Sequence, residues 1–484
     1  MPAGRIGMTF CPGKQQAHAA TGTWKRDLAL DVAAVRESGA AVVVSLVEPH
    51  ELDELGVPDL GDEVRRQHMD WLHLPIADVS VPTDAFEQAW LTAGEGLRTR
   101  LRNGFDVVVH CKGGLGRAGM IAARLLVELG TPAEEAIAIV RAARPGAIET
   151  TAQERYVHSI APAPELIPST TPDALQDRAL GALLGLAVGD ALGTTLEFKA
   201  RDSYEPLTTI VGGGPFRLKP GQWTDDTAMA LALADSLIAH PELDQDDLMQ
   251  RFDRWQRSGA YSCTGTCFDI GITVSSALAR WRRTGDAAAG STDPKTAGNG
   301  ALMRLAPVAL RWAHDPARLV EVAARQTVTT HAAPEAISAS VAFAQLLAAA
   351  IAGEPLSTII APRSDAAYRG TIAAIMDGSW HGKRRDEIQS SGYVAHSLEA
   401  ALWATARTTS FRDAVLLAAN LGGDADTTAA ITGQLAGAIY GASGIPQDWL
   451  AMIEWRERIT ELGLRLIGDR QSGETSNVLE RSHS

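Results

Sequence analysis

The pattern of hydrophobic residues changes near residue 165, and this change limits the folds that the chain can adopt. Before it, short runs rich in β-branched residues, such as AAVVVSLV (40–47) and FDVVVHC (105–111), alternate with amphipathic stretches. Such runs are typical of buried parallel strands with helices beside them. From residue 175 to about 468, stretches such as RALGALLGLAVGDAL are rich in Ala, Leu and Gly, and strand-like runs are almost absent. The sequence therefore predicts a multidomain protein in which an α/β domain precedes an all-α domain.

A proline-rich segment joins the two patterns. APAPELIPSTTPDA (161–174) combines Pro, Ser and Thr and has no helical or strand period, as expected of a linker. A chain of 484 residues also exceeds the size at which one hydrophobic core stops growing, about 250–300 residues. We therefore predict an α/β domain at 1–162, a linker at 163–174, a helical domain at 175–468 and a disordered tail at 469–484.

Charge and cysteine content narrow the class of protein. A net charge of −14 and a pI near 5.4 argue against a nonspecific nucleic-acid or anionic-membrane binder, which needs a basic face. We find no apolar run of about 18 residues in the sequence, so no membrane span is expected. Four cysteines in so long a chain favour a reducing compartment over a disulfide scaffold. The first residues lack the pattern of a signal peptide, and we expect a cytoplasmic protein.

The segment VVVHCKGGLGRAG (107–119) carries the first chemical signature: a cysteine, five residues and an arginine where a strand meets a helix. Such a loop can wrap its backbone N–H groups around phosphate oxygens, and the helix N-terminus adds a positive field. That field favours a thiolate nucleophile at Cys111, and Arg117 can bind two phosphate oxygens. The alternative is a buried strand cysteine beside a glycine turn. The predicted phosphate-binding loop consists of Lys112, Gly113, Gly114, Leu115, Gly116 and Arg117.

This loop resembles the active-site loop of the cysteine-based dual-specificity protein phosphatases. GMTFCPGK near the start, PIAD (75–78) and RPGAIETTAQ after the loop are similar to the kinase-associated phosphatase subgroup, and the resemblance spans most of residues 5–158. It implies catalysis through a phosphocysteine without a cofactor, with Cys111 as nucleophile. It also implies that Asp78 is the general acid that protonates the leaving oxygen. The alternative for Asp78 is a turn residue after a strand.

Ala118 departs from the phosphatase pattern. The family usually places Ser or Thr after the arginine, and that hydroxyl stabilises the leaving thiolate when water breaks the phosphocysteine. Its absence predicts slow hydrolysis of the intermediate, with phosphate binding retained. Two interpretations of this domain therefore stay open: a working phosphatase, or a slow or inactive phospho-ligand binding module that targets the rest of the chain.

Two acidic clusters stand where helices of the second domain are predicted to begin. One is Thr-Asp-Asp at 224–226 and the other is Asp-Ala-Asp-Thr at 424–427, and each precedes an apolar stretch. Helix capping explains one acid at such a position, but two acids and a hydroxyl in each cluster exceed what capping requires. Carboxylate and hydroxyl oxygens favour Mg²⁺ or Mn²⁺ over zinc, and four carboxylates suit two ions. Spacing alone does not bring the clusters together.

The ordered motifs around these clusters carry a second resemblance. GALLGLAVGDALG with LEF, WTDDTAMA, GNGALMRLAPVA, THAAPEAI and LGGDADTTAAITGQLAGA look like the ADP-ribosylglycohydrolase family, which includes dinitrogenase-reductase-activating glycohydrolase, across about residues 176–465. The resemblance implies an all-α fold, two Mg²⁺ or Mn²⁺ ions and hydrolysis at the anomeric carbon of ADP-ribose. The metal ligands that it implies are Thr224, Asp225, Asp226, Asp424, Asp426 and Thr427.

Further residues match this family one by one. Glu197, in LEF, maps onto an acid close to the metals and is interpreted as a gating or catalytic acid, with an exposed loop glutamate as the alternative. Asp269, in TCFDIG, matches a substrate-side position of the nitrogen-fixation subgroup. His331, in THAAPEA, also matches a family position, although a lone histidine ahead of a helix is more often a cap or a packing residue. The loop near ribose and phosphate is matched by Gly298, Asn299 and Gly300.

Together these signatures predict a bifunctional hydrolase, an ADP-ribosylglycohydrolase joined to a cysteine phosphatase. The expected partners are an ADP-ribosylated protein or small molecule and a phosphorylated substrate. A membrane and a nucleic acid are not expected, although an ADP-ribosylated nucleic acid stays open as an acceptor. A non-enzymatic structural member of the hydrolase family is a third interpretation, against which the intact acid clusters argue. The ADP-ribosyl linkage, the phosphatase substrate and the choice between Mg²⁺ and Mn²⁺ are not readable from the sequence.

Overall fold

The computed structural model describes residues 4–19 and 22–468. The chain divides into two compact units. The first extends to Leu166 and includes His381–Arg385, and the second comprises Ile167–Trp380 and the residues from Asp386 onward. The predicted succession of an α/β domain and a helical domain is confirmed. The predicted tail at 469–484 lies outside the described residues.

The described strands of the first unit are β1 (Ile6–Phe10), β2 (Gln15–Ala19), β3 (Gly22–Lys25), β4 (Ala40–Ser45), β5 (Asp70–His73) and β6 (Asp106–Cys111). Four of them form a parallel sheet in the order β1, β6, β4, β5, and β2 pairs with β3 in a separate antiparallel ribbon. The central strands β4 and β6 are almost wholly buried, which explains their runs of valine. Because β6 ends at Cys111, that cysteine lies at the carboxyl edge of the sheet.

The α-helices of the first unit are α1 (Leu28–Glu37), α2 (Pro49–Glu54), α3 (Leu60–Arg66), α4 (Asp84–Arg102), α5 (Gly116–Glu128), α6 (Ala133–Ala143) and α7 (Thr151–His158). Helix α5 packs on β6, the strand that precedes it. Only residues 112–115 connect the two elements. The sequence therefore forms a tight loop between the end of a buried strand and the N-terminus of a buried helix.

The α-helices of the second unit are α8 (Pro172–Gly193), α9 (Asp225–Ala239), α10 (Gln245–Ser258), α11 (Ile272–Thr284), α12 (Ala306–Trp312), α13 (Pro316–Val328), α14 (Pro334–Ala352), α15 (Leu356–Ile359), α16 (Gly370–Met376), α17 (Val394–Arg407), α18 (Phe411–Ala419), α19 (Ala425–Tyr440), α20 (Gln447–Met452) and α21 (Arg456–Gly468). Within the described part of this unit, β-structure is limited to isolated bridges. Helix α8 begins inside the stretch predicted as a linker, because Thr171 caps it and Pro172 occupies its first turn. The predicted domain boundaries otherwise stay predictions.

A glycine at every fourth position of α8 brings this helix against α19. A Cβ atom added at Gly181, Gly185, Gly189 or Gly193 would lie 2.2–2.3 Å from a carbonyl oxygen of α19. Residues four apart lie on one face of a helix, so the stripe lets the two backbones touch. The last contact of the stripe is with the carbonyl of Ala425, in the first turn of α19. The stripe thereby places the end of α8 and the residues after it beside the second acid cluster.

Two helices of the second unit are long and apolar enough to cross a membrane, although the sequence analysis found no apolar run of about 18 residues. They are Pro172–Leu196 and Pro334–Ala352, and 89% and 67% of their most apolar windows are buried inside the protein. The first is the glycine-striped helix that packs against α19. Helices buried in a protein core show the same degree of burial, and burial explains the apolar composition of these two helices. The expectation that no membrane is a partner stays a prediction.

Candidate active sites

A cavity of about 900 Å³ lies at the N-termini of α9 and α19. Several residues that line the cavity had no role predicted from the sequence, among them Phe198, Met303 and the segment 390–392. Two predicted ligands, Thr224 and Asp226, do not line it and are buried. The predicted site residues that do line it are Glu197, Asp225, Asp269, Gly298, Asn299, Gly300, His331, Asp424, Asp426 and Thr427.

Neither acid cluster is explained by capping of its own helix. Thr224 is the N-cap residue of α9 and Asp424 is that of α19. Neither side chain accepts a hydrogen bond from a backbone N–H group of its helix. Side-chain capping is the usual reason for such residues at these positions. The side chains at the N-termini of α9 and α19 therefore have another role.

Asp190 of α8 supplies the missing cap to α9. Its carboxylate is buried and accepts hydrogen bonds from the backbone N–H groups of Thr224 and Thr227, at 2.9 and 3.0 Å. The hydroxyls of the same threonines lie 2.9 and 2.6 Å from it. Asp190 is not among the residues predicted from the sequence, although a signal was present. GLAVGDALG places one charge inside an apolar helix, and a buried charge needs partners.

Carboxylates from the residues after α8 and from the start of α19 converge in the cavity. Oxygen atoms of Glu197, Asp424 and Asp426 lie within 4.8 Å of one another, and Asp225 lines the same space. Among the described residues that line the cavity, none is Lys or Arg. Burial, and after it the charge of Asp426, raises the pKa of Glu197 to about 12 and that of Asp424 to about 7. The described lining thus gathers acids without a cation among them.

Two carboxylate oxygens near the cavity have no hydrogen-bond partner. They are Oδ1 of Asp226 and Oδ2 of Asp426, and both atoms are buried. Burying an unpartnered carboxylate is costly, so these oxygens indicate that something binds them. An all-oxygen donor set of this kind fits Mg²⁺ or Mn²⁺. The residues therefore fit the divalent ions that the resemblance implies.

Glu197 is a buried part of the site, and the exposed-loop alternative is wrong. Its side chain is 5% exposed. Its Oε2 accepts hydrogen bonds from the backbone N–H groups of Ala425 and Asp426, at 2.7 and 3.3 Å. These are orphan donors of the first turn of α19. Glu197 thus caps α19 from outside, as Asp190 caps α9, and each helix start is fixed by an acid from elsewhere in the chain.

The GNG loop orients one of the predicted metal ligands. Asn299 donates from Nδ2 to Oδ2 of Asp424 at 2.7 Å and to the hydroxyl of Ser397 at 2.8 Å. Its backbone N–H donates to the carbonyl of Gly392 at 3.1 Å, and Gly298 forms an isolated bridge with Tyr393. The loop therefore joins the segment around Gly392 to the acid cluster.

His331 packs directly under the same loop. A Cβ atom at Gly300 would lie 2.8 Å from its Cε1, so glycine is required there by close approach. Its Nδ1 pairs with the Thr330 hydroxyl at 2.8 Å. Burial and then the charge of Arg304 lower the pKa of His331 to about 3, so the ring is neutral at pH 7. His331 thus lines the cavity as a neutral packing residue, and its predicted substrate contact stays a prediction.

The first unit places the predicted phosphate loop at the end of β6. Phe10 of β1 and Cys111 of β6 are partners in the parallel sheet. The backbone N–H of Gly114 donates to Sγ of Cys111 at 3.2 Å. Gly114 has φ +70°, and a Cβ there would lie 2.5 Å from the Thr9 backbone, so only glycine fits. The loop already directs a backbone donor toward the cysteine sulfur.

Arg117 is buried and held by a carboxylate that sequence reasoning missed. Its guanidinium donates to both oxygens of Glu51, at 2.5 and 3.0 Å, and to the carbonyl of Ile76 at 2.9 Å. Although burial acts to raise it, hydrogen bonds from Arg117 and the Glu48 backbone hold the pKa of Glu51 below its usual range. The bidentate pair fixes the plane of the guanidinium at the loop. Glu51 is one of several acids in PHELDE, and nothing in that pattern singles it out.

Asp78 lies beside the same arginine. Its Oδ1 is 2.9 Å from Nη2 of Arg117, and its side chain is 57% exposed. It also accepts a hydrogen bond from the backbone N–H of Val79, a residue at φ +59°. The structure therefore brings Asp78 to Arg117, 39 residues later in the sequence, in a position that solvent and a substrate can reach. Its role as general acid stays a prediction.

Side chains outside the motif support the back of the loop. Arg144 donates to the carbonyls of Gly114 and Gly113, at 2.7 and 3.3 Å. Lys14 donates to the carbonyl of Lys112 at 3.3 Å. These bonds satisfy carbonyls on the loop and leave its N–H groups available for an anion. Ala118 is fully buried in the first turn of α5, so no hydroxyl is present at this position.

Comparisons with known proteins agree with both sites. The sequence profile of the ADP-ribosylglycohydrolase family matches residues 171–475, and that of the Swiss Army Knife protein DSP-PTPase phosphatase domain matches residues 28–157. The chain is 46% identical over 296 residues to "ADP-ribosylarginine hydrolase Tri1" of Pseudomonas putida (strain GB-1), which covers 61% of this chain and 79% of that protein. It is 33% identical over 137 residues to "Cyclin-dependent kinase inhibitor 3" of Rattus norvegicus, covering 28% of this chain and 63% of that protein.

A solved structure described as an "ADP-ribosylglycohydrolase-related protein complex" is similar with a TM-score of 0.55 and 41% identity, over 61% of this chain and 98% of that chain. The family profile covers more than half of the 484 residues and includes every carboxylate of the cavity. The phosphatase profile includes the whole loop from Cys111 to Arg117. The chain therefore belongs to the ADP-ribosylglycohydrolase family and carries a DSP-PTPase phosphatase domain ahead of its glycohydrolase domain.

Proposed function

We propose that this hydrolase removes ADP-ribose from arginine with the help of divalent metal ions, and that its first domain cleaves phosphate esters through a phosphocysteine. The observation that carries the first part is the convergence of Glu197, Asp424 and Asp426 within 4.8 Å in one cavity. The volume of about 900 Å³ suits a ligand of the size of ADP-ribose.

Arginine is favoured as the acceptor on two grounds. The relative from Pseudomonas putida is named for ADP-ribosylarginine. Two acidic residues that line the cavity, Glu197 and Asp269, are not among the proposed metal ligands, and no described lining residue is Lys or Arg. A cationic guanidinium is complementary to such a surface. The acceptor is then an ADP-ribosylated protein or an ADP-ribosylated small molecule with a guanidinium group.

The metal-binding residues in this proposal are those that the family resemblance assigned. The ions that these residues bind would supply the Lewis-acid charge that holds a water molecule and the ribose hydroxyls. Asn299 keeps the carboxylate of Asp424 in one orientation through its 2.7 Å hydrogen bond. The ions, two of Mg²⁺ or Mn²⁺, would be held by Thr224, Asp225, Asp226, Asp424, Asp426 and Thr427.

The carboxylates around the ribose handle the proton. Hydrolysis breaks the bond between the anomeric carbon and a guanidinium nitrogen, places a water oxygen on that carbon and returns a proton to the nitrogen. Glu197 is the proposed gating or catalytic acid, because it is buried and held against the start of α19 by two backbone donors. Asp269 orients the substrate from the wall of the cavity, and the loop at 298–300 receives ribose and phosphate.

The phosphatase proposal follows from the loop. Sγ of Cys111 attacks phosphorus, the ester P–O bond breaks, and Asp78 gives its proton to the leaving oxygen. Loop N–H groups and Arg117 stabilise the charge on the phosphoryl oxygens. Water then breaks the S–P bond and releases phosphate. No cofactor takes part in this sequence.

One observation favours a second candidate for the first domain. Ala118 supplies no hydroxyl to the leaving thiolate, which suits a slow enzyme or a phospho-ligand binding module. Burst kinetics with a chromogenic aryl phosphate separate the two. Steady turnover supports the phosphatase, whereas one equivalent of product per chain, or none, supports the binding module.

The glycohydrolase proposal is tested with a panel of defined ADP-ribosyl linkages, each incubated with Mg²⁺ and with Mn²⁺ and scored for released ADP-ribose. We expect release from the arginine linkage with at least one of the ions. Failure on every linkage contradicts the proposal, and release from another linkage alone contradicts the choice of arginine. We further propose that the protein acts in the cytoplasm without a membrane partner.

A further inference from the structure

Three phenylalanines contact one another in series beside the glycohydrolase cavity. The ring centroids of Phe198 and Phe216 are 6.4 Å apart, and those of Phe216 and Phe268 are 5.3 Å apart. Both distances are in the range of aromatic contact. Phe198 lines the cavity and is 69% exposed. We call Phe198, Phe216 and Phe268 the aromatic wall.

The backbone on both sides of the aromatic wall is strained. Phe198 has φ +61° and Asp269, which follows Phe268, has φ +58°. Left-handed backbone is unfavourable for a non-glycine residue, and it persists where the surrounding structure enforces it. Phe198 is held by a 2.8 Å hydrogen bond from its N–H to the carbonyl of Gly423. An exposed large ring on an enforced, strained backbone indicates a surface kept for binding.

The aromatic wall lies at the end of the cavity where the glycosidic bond is cleaved. Phe198 directly follows Glu197, whose carboxylate belongs to the cluster with Asp424 and Asp426. Phe268 directly precedes Asp269, which also lines the cavity. The acceptor is bonded to the anomeric carbon, whereas adenine is separated from that carbon by a ribose, two phosphates and a second ribose. The group nearest to Phe198 is therefore the acceptor.

The chemistry of the aromatic wall matches a guanidinium. A planar, weakly hydrated guanidinium stacks on an aromatic face and donates hydrogen bonds to a carboxylate in its own plane. Phe198 offers an accessible ring, and Asp269 offers a carboxylate. We propose that Phe198, supported by Phe216 and Phe268, is a specificity-determining residue that stacks on the guanidinium of the ADP-ribosylated arginine. This inference rests on the proposed arginine linkage.

The test compares two ligands that differ only in the acceptor, ADP-ribosylarginine and free ADP-ribose. Dissociation constants are measured in the full chain with Mn²⁺ present, and a methylene group replaces the glycosidic nitrogen of ADP-ribosylarginine so that no cleavage occurs. In Phe198→Leu, which keeps an apolar side chain and removes the ring, affinity for ADP-ribosylarginine should fall about 3- to 30-fold. Affinity for ADP-ribose should change less than about twofold, and Phe198→Tyr should restore wild-type binding of both ligands.

Ile272 provides the matched control, since it lines the same cavity and is 85% exposed. Ile272→Ala should leave the ratio of the two dissociation constants unchanged. An equal loss for both ligands in Phe198→Leu overturns the inference in favour of a contact with ADP-ribose itself, and unchanged binding overturns it outright.

A separate measurement distinguishes this failure from failure of the proposed function. Wild-type enzyme with Mn²⁺ is assayed for release of ADP-ribose from ADP-ribosylarginine. If wild-type enzyme releases ADP-ribose but the affinity ratio is unaltered in Phe198→Leu, the arginine hydrolase is supported and the role of the aromatic wall is contradicted. No release from this linkage contradicts the arginine hydrolase itself, whatever the affinity ratio.

Discussion

The two sites of this chain balance charge in opposite ways. In the phosphatase loop, Arg117 is paired with both oxygens of Glu51 and with Asp78, and Lys112 lies 3.8 Å from Glu51. In the glycohydrolase cavity, five carboxylates line the wall and no described lining residue is a Lys or Arg. The first site carries its counter-charges within the fold. In the proposed function, cations from solution complete the second.

Because of this difference, the two sites should respond to different changes. The phosphatase loop depends on internal partners, so changing one partner leaves another charge buried and unpaired. If divalent ions bind the glycohydrolase cavity as proposed, its stability and activity should follow the concentration of those ions. Each of the following changes disturbs one site and leaves the other as an internal control.

The largest effect is expected from Asp424→Asn combined with Asp426→Asn. Release of ADP-ribose should fall by at least about a thousandfold, because ligands worth several kcal/mol to the transition state are lost. Hydrolysis of an aryl phosphate by the same protein should stay unchanged. Cys111→Ser should give the reverse pattern, and loss of both activities in either variant would refute the independence of the sites.

Glu51→Gln should lower the free energy of unfolding of the phosphatase domain by about 3–5 kcal/mol, since it leaves Arg117 buried without its bidentate carboxylate. The urea dependence of Cys11 labelling, read by mass spectrometry, reports this domain because that thiol is fully buried. Glu54 is the matched control: it belongs to the same helix, is 60% exposed and lies 3.8 Å from Lys112. Glu54→Gln should cost less than about 1 kcal/mol, and equal effects would contradict the account.

Mn²⁺ at about 100 times its dissociation constant should stabilise the glycohydrolase domain by about 2.7 kcal/mol for each ion bound. The effect is seen as a rise in its thermal unfolding temperature, and EDTA should reverse it. The urea dependence of Cys11 labelling should not respond to the ion. A similar rise in the variant with Asp424→Asn and Asp426→Asn would show that the ion binds elsewhere.

Ala118→Ser is expected to have the smallest effect, an increase of about tenfold in the steady-state rate of aryl phosphate hydrolysis. The new hydroxyl can donate to the leaving thiolate, and a hydrogen bond to a charged group contributes about 1.5–3 kcal/mol. The size of the initial burst should stay the same. An unimproved rate would count against slow breakdown of the phosphocysteine as the limit on turnover.

What the sequence predicted best is chemistry contained in one continuous segment. The spacing of Cys111 and Arg117 closes a loop locally, and the strand and helix on either side are strongly patterned, so both the loop and its position were predictable. The acids at 224–226 and 424–427 were recognised for the same reason. The observation that neither Thr224 nor Asp424 caps its own helix came only from the structure.

Contacts between distant segments were not predictable from spacing, and Glu197 and Asp78 were assigned only through family resemblance. Glu51 meets Arg117 across 66 residues, and Glu197 meets the start of α19 across 228 residues. Only the packing of α8 on α19 brings Glu197 to that place, through glycines whose role depends on the opposite backbone. Asp190 was the exception, since a charge in the middle of an apolar helix is itself a signal. The segment at 390–392 has no periodic pattern, and its place beside Asn299 follows from tertiary contacts.

The most direct test of the proposed metal site is to count the Mn²⁺ ions that the full chain binds in equilibrium dialysis. The carboxylates in and beside the cavity, two of whose oxygens have no hydrogen-bond partner, lead us to expect two ions per chain. The variant with Asp424→Asn and Asp426→Asn should bind fewer. Wild-type protein that binds no more Mn²⁺ than this variant, and that still releases ADP-ribose in EDTA, would contradict the metal site and the function proposed for it.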